Sequence, residues 1–138
     1  VFDLKERFPE SLFVHETLPI DELIKEISVY DYGINFFILN KKETKVSKFN
    51  FDGAMGTKNF TLLEAGLPII VNSEMRYFDE LIKKNKVGIS LNSEEFNQID
   101  EITKRINYSE LKENVKNFQK KNNLFAKSYE LVSFYSSL

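Results

Sequence analysis

The segment Gly56-Thr57-Lys58-Asn59-Phe60-Thr61-Leu62-Leu63-Glu64-Ala65-Gly66-Leu67-Pro68-Ile69-Ile70-Val71 constrains the fold more than any other part of the chain. It reads as a glycine-flanked loop, one short helix, a glycine stop, and an apolar β-branched run that Pro68 opens. Gly66 is placed to cap the helix in the left-handed conformation. A loop feeding a helix N-terminus beside a buried parallel strand suits phosphate. Unpaired backbone N–H groups converge there, and the helix dipole favours an anion. Lys58 adds a mobile positive charge at that mouth.

The flanking sequence repeats the alternation of helix and strand. Ser11–His15 is a short apolar run after Pro9 and is predicted as a strand. Ile20, Leu23, Ile24 and Ile27 share one helical face, with Asp21 and Glu22 in the first turn. Tyr32–Leu39 is the second predicted strand, Pro68–Asn72 the third and Val87–Leu91 the fourth. Between them, Met75, Phe78, Leu81 and Ile82 mark a helix that Ser73 can cap. Phe96, Ile99, Ile102 and Ile106 mark another, for which Ser93 is the expected cap. Ser109 is expected to open a helix with Leu111, Val115 and Phe118. A last helix after Asn122-Asn123 carries Phe125, Tyr129 and Val132, and its aromatics, with Phe134 and Tyr135, read as a packing stripe. The polar stretch 40–57 contains Lys41, Lys42, Lys45 and Lys48. Glu43 interrupts it, and a solvated loop is the expectation.

Apolar strands separated by amphipathic helices imply βαβ units and a parallel sheet covered on both faces. The expected fold class is α/β: a Rossmann-like parallel sheet sandwiched by helices, one domain over residues 1–138. Ligands then bind beyond the carboxyl ends of the strands. That rim is expected at His15–Leu18, Ile38–Asn40, Asn72–Glu74 and Leu91–Ser93, with the 53–61 loop beside it. Val1–Leu4 make no convincing opening strand and helix. With no initiator Met either, the chain reads as an N-terminally incomplete piece lacking its first βα units.

Composition removes several chemistries. With no cysteine there is no disulfide, thiolate metal site or Cys nucleophile, and the single histidine, His15, cannot build a His-rich metal site. Nineteen Lys and Arg against 21 Asp and Glu give a net charge of -2, which argues against a nucleic-acid partner. No run approaches membrane-spanning length and no signal peptide opens the sequence, so a cytoplasmic setting is expected, with peripheral association at the inner membrane face as its variant. There is no Walker lysine loop, no GxGxxG and no His-Asp-Ser set.

Individual side chains keep two readings each. Lys58 can pair a phosphate or be solvated. Glu64 can accept ribose hydroxyls or belong to a cap network. Thr61 can bond a ligand or turn its hydroxyl back to the helix carbonyls. His15, beside Glu16 and Thr17, can touch ligand or be structural. Asp31 is expected to cap the preceding helix or fix the turn into the next strand.

Four blocks resemble the C-terminal, donor-binding domain of GT-B-fold glycosyltransferases in the broad group of families 1 and 4. Phe13–Leu23 is similar to that family's strand, Leu-Pro turn and helix start. Tyr30-Asp31-Tyr32-Gly33-Ile34 resembles its Asp-Tyr-Gly-Ile strand opening. Thr57–Val71 resembles its hallmark helix followed by Ala-Gly-Leu-Pro-Val-Ile-Val, and Val87-Gly88-Ile89 its next strand. The resemblance implies a nucleotide-sugar donor with its diphosphate at the 56–61 helix start. It also implies sugar transfer to an acceptor hydroxyl, as in polysaccharide biosynthesis, and no metal or other cofactor. The implied donor-binding set is Gly56, Lys58, Asn59, Phe60, Thr61 and Glu64, with His15 and Glu16 near the base; no catalytic residue is assigned. The family's donor-contacting acid falls on Thr61 here, with Glu64 one turn later as a substitute. Implied partners are the missing N-terminal domain of the same chain and an acceptor glycan, lipid-linked sugar or protein. The isolated piece is expected to be inactive. The alternatives are a GT-B-fold nucleotide-sugar 2-epimerase and a non-catalytic Rossmann-like interaction module.

Overall fold

The computed structural model describes residues 6–36 and 56–137, except the side chains of Leu124, Phe125 and Leu131. The elements in chain order are α1 (Ile20–Ile27), β1 (Gly33–Asn35), α2 (Thr57–Glu64), β2 (Ile69–Asn72), α3 (Arg76–Asn85) and β3 (Gly88–Leu91). A 3₁₀ turn, Glu95–Gln98, then leads into α4 (Ile99–Arg105), α5 (Tyr108–Lys121) and α6 (Leu124–Ser136). The three strands form one parallel sheet in the order β1-β2-β3. Gly33 pairs with Ile69 and Ile69 with Gly88; Asn35 pairs with Val71 and Val71 with Ser90.

Because strand side chains alternate between faces, β2 divides the core in two. Ile69 and Val71 point to one side, where Leu63 of α2, Met75, Phe78 and Ile82 at α3, and Val115 of α5 close over them. Ile70 points to the other side and joins Ile89 and Leu91 under Phe96, Ile99, Ile102 and Ile106. Phe36 stacks on Phe96, with ring centroids 4.1 Å apart, and so ties the end of β1 to this second layer. β2 is buried at every residue, as expected for the central strand of a sheet covered on both faces. The architecture is that of a Rossmann-like half-domain.

Several local expectations are corrected. Residues 12–19 carry no helix or strand, so Ser11–His15 is not a sheet strand among the described residues. A strand needs a paired neighbour, and the described pairs join only β1, β2 and β3. Ser73 does not cap α3; its N–H donates to the Leu91 carbonyl across the sheet, and the helix starts at Arg76 without a side-chain cap. Ser93 gives way to Asn92, whose Oδ1 accepts from the N–H groups of Glu94 and Glu95. Asn107, rather than Ser109, caps α5 by accepting from the Glu110 N–H, and Asn123 caps α6 by accepting from that of Ala126. Asparagine reaches these amides as well as serine does, so residue type alone could not choose between neighbours. Asp31 acts through its backbone: its carbonyl accepts from the Tyr108 hydroxyl. Tyr129, Val132, Phe134 and Tyr135 of α6 are exposed rather than packed as a stripe. The lysines at 41, 42, 45 and 48, Glu43, Ile38–Asn40 and Gly53 lie outside the described residues, and the side chain of Phe125 does too.

Candidate functional site

In a parallel sheet all strands end on the same edge, and here each apolar strand runs into an asparagine: Asn35, Asn72 and Asn92. Asn35 closes β1 and Asn72 closes β2, while Asn92 follows the last residue of β3. This carboxyl rim is polar although the strands beneath it are not. The start of α2 lies against it, because Gly56 and Asn59 approach Asn35 directly. Asn35 Nδ2 donates to Asn59 Oδ1 at 2.8 Å. A methyl group placed on Gly56 would lie 3.5 Å from Asn35 Nδ2, 3.6 Å from Asn59 Nδ2 and 4.0 Å from Met75 Cε.

Two polar atoms at this rim are buried with no partner among the described residues, Asn59 Nδ2 and Glu74 Oε2. Asn59 itself is 0% exposed. Buried polar atoms are nearly always paired, since leaving one without a partner costs about 1–3 kcal/mol. Their position at the sheet's carboxyl edge marks this edge as unfinished.

The start of α2 is also electrostatically open. Its N-cap is Gly56, no side chain among the described residues caps it, and no acidic residue lies in its first turn. Every other described α-helix has at least one of these: α1, α3 and α4 carry first-turn acids, α6 an asparagine cap, and α5 both. The Asn59 N–H is taken by the Gly56 carbonyl at 3.0 Å. The N–H groups before it have no carbonyl a full turn back within the helix.

The expected site residues divide over three sides of α2. Lys58 and Thr61 border a groove toward α1 with Leu23, Ile27, Ile34 and Asn35. Lys58 is exposed, and the Thr61 hydroxyl donates back to the Thr57 carbonyl at 3.3 Å. Asn59 points inward. Phe60 leans away toward α3, its ring 5.4 Å from that of Phe78 and 6.4 Å from that of Tyr77. Glu64 is exposed on the Phe60 side, bordering a groove with Phe118 and Gln119 of α5. It also lies six residues beyond Lys58, roughly 9 Å along the axis. The start of α2 therefore gathers Gly56, Lys58 and Asn59, while Phe60 and Glu64 face another way.

His15 is placed elsewhere. Its Nδ1 lies 3.6 Å from a Glu26 carboxylate oxygen and its Nε2 3.4 Å from the Tyr30 hydroxyl. Both partners sit where α1 ends and the chain turns toward the beginning of β1, the opposite edge from the asparagine rim. Glu16 is exposed next to it. Asn72 and Glu74 lie in a rim segment expected from sequence, whereas Asn35 was not singled out. For Asn72 and Asn92 the available signal was an asparagine directly after an apolar run, because asparagine is poor within strands, whereas Asn35 stands inside the run Tyr32–Leu39.

The far end of α2 is fully tied. Gln119 Nε2 donates to the carbonyls of Leu63 and Glu64, both at 2.9 Å, and Lys112 Nζ donates to the Gly66 carbonyl at 2.9 Å. Gly66 has φ of 81° and its N–H bonds the Leu63 carbonyl, the left-handed cap read from sequence. Away from the rim, burial would raise the Asp79 carboxyl. Hydrogen bonds from Lys83 and Ser90, with the Lys83 charge, outweigh that and hold it below the usual carboxylate range. Burial raises the phenols of Tyr32 and Tyr108, and the Asp31 charge adds to it.

A family model described as the glucosyltransferase 3-like C-terminal domain matches residues 3–129. The match spans nearly the whole chain, and the protein belongs to that family. It is thus a C-terminal domain of glycosyltransferase type, which agrees with the parallel half-domain and the open helix start. No curated protein and no solved structure matches the chain. No helix among the described residues is long and apolar enough to cross a membrane.

Proposed function

We propose that this domain is the nucleotide-sugar-binding part of a GT-B-fold glycosyltransferase of the family 1 and 4 type. The donor's diphosphate rests on the start of α2. The observation that carries the proposal is that this helix start, alone among the described α-helices, has neither a capping side chain nor a first-turn acid. An anion there meets free amides, the positive end of the helix dipole and Lys58. A second domain of the same protein brings the acceptor and the base. The acceptor oxygen bonds to the anomeric carbon, the bond from that carbon to the diphosphate oxygen breaks, and the acceptor proton passes to the base. The diphosphate departs as an anion, and the amides of α2 with Lys58 stabilise that growing charge in place of a metal ion. Closure of the two domains excludes water from the donor. The setting proposed is the cytoplasm or the inner membrane face.

Thermal unfolding of the full-length protein with UDP, GDP, ADP and dTDP tests this. One of them is expected to raise the Tm by several degrees, since a hundredfold excess over Kd adds about 2.7 kcal/mol. Lys58→Ala should weaken that diphosphate about tenfold and leave the matching nucleoside unchanged. A protein indifferent to all four nucleotides is an interaction module, and the proposal fails. Equal loss for nucleotide and nucleoside would remove Lys58 from phosphate binding.

A further inference from the structure

We infer that Asn59 is a ligand-binding residue whose carboxamide Asn35 holds in the orientation that offers its N–H to a diphosphate oxygen at Gly56; this rests on the reading of α2 just given. Three observations converge. Asn59 is fully buried in the first turn of α2 and its Oδ1 is occupied by Asn35 Nδ2 at 2.8 Å. With the oxygen occupied as acceptor, Nδ2 is the atom of this carboxamide left open. That nitrogen has no partner among the described residues. It lies 3.6 Å from where a side chain on Gly56 would begin, and Asn35 Nδ2 lies 3.5 Å from the same point.

Two amide nitrogens thus lie within 3.6 Å of the one position in the turn that has no side chain. An oxygen atom lodged in van der Waals contact with the Gly56 backbone, within hydrogen-bond reach of both nitrogens, completes the hydrogen bonds that the chain leaves open. Because Nδ2 is covered in the free chain, the Gly56 turn gives way as the oxygen enters. A residue without Cβ has the least to displace. The chemistry favours an acceptor-only, negatively charged oxygen, since both groups are donors and the α2 dipole adds to them. Asn35 acts through Asn59 and is a positioning residue.

The test uses the full-length protein, inorganic pyrophosphate and whichever nucleoside diphosphate stabilises it most. Gly56 has φ of -69°, and an added methyl meets only ordinary van der Waals distances, so Gly56→Ala folds normally and isolates binding. Gly56→Ala and Asn35→Ala are each expected to weaken both ligands about tenfold; Tm of the free protein changes by no more than a degree or two in Gly56→Ala and falls by several degrees in Asn35→Ala, which leaves the buried Asn59 Oδ1 without its donor. In ¹⁵N spectra the side-chain amide protons of Asn59 are expected to shift as pyrophosphate saturates the wild type, and to stay in place in Gly56→Ala. If the wild type binds and Lys58→Ala weakens binding, yet Gly56→Ala and Asn35→Ala bind normally and the Asn59 signals stay still, the inference is overturned and the phosphate reading survives. If the wild type binds neither ligand, both are overturned.

Discussion

The two ends of α2 are built by opposite rules. At its C-terminus every local device closes the helix: Gly66 in the left-handed region, Gln119 donating to two carbonyls, and Lys112 reaching a third. At its N-terminus no side chain among the described residues does, and a buried amide nitrogen is left without a partner among them. Both ends belong to the same eight-residue helix, so propensity cannot account for the difference. Stability explains the closed end. The proposed ligand accounts for the open one, because an unpaired donor is retained against a steady energetic cost.

This contrast can be broken at either end. The largest stability loss is expected from Gln119→Ala, which strips the donor from two carbonyls: about 2–3 kcal/mol in denaturant unfolding, with diphosphate affinity unchanged. A large affinity loss in that variant would mean that the two ends are coupled rather than separate. Gly66→Ala forces a Cβ into a backbone at φ of 81° and is expected to cost about 1–2 kcal/mol, again without touching affinity.

The smallest effect concerns a carboxylate remote from both ends. Asp79 is held below its unfolded value in the native state, so the unfolded chain binds its proton first as pH falls. Its contribution to stability is complete above the ordinary carboxylate range and is lost as pH drops through the lowered native value. Asp79→Asn should flatten the acid limb of the stability profile and leave nucleotide binding at neutral pH as it was. An unchanged acid limb would mean that Lys83 and Ser90 do not favour the ionised form.

Much of this was legible in the chain. Ile69-Ile70-Val71 announced a strand buried on both faces, and Leu63, Phe78, Ile82, Leu111 and Val115 announced the helical faces that cover it. The Gly66 stop was readable because positive φ has few alternatives to glycine. Within the site, Gly56, Lys58 and Asn59 were marked by their place at a helix start. Phe60 and Glu64 were grouped with them through the family resemblance, and in the fold they face α3 and α5. His15 looked like the end of a strand and instead stands beside Glu26 and Tyr30.

The sequence by itself determined the alternation of strand and helix, the central strand and the stops, because these depend on short-range periodicity and on residues with few permitted conformations. Only the tertiary structure decided which polar groups meet. Asn35 and Asn59 are 24 positions apart, Gln119 and Leu63 56 apart, and hydrogen bonds across such separations have no period to betray them. That Asn59 is a buried amide with one open N–H depends on what surrounds it in space, and no window of sequence contains those neighbours.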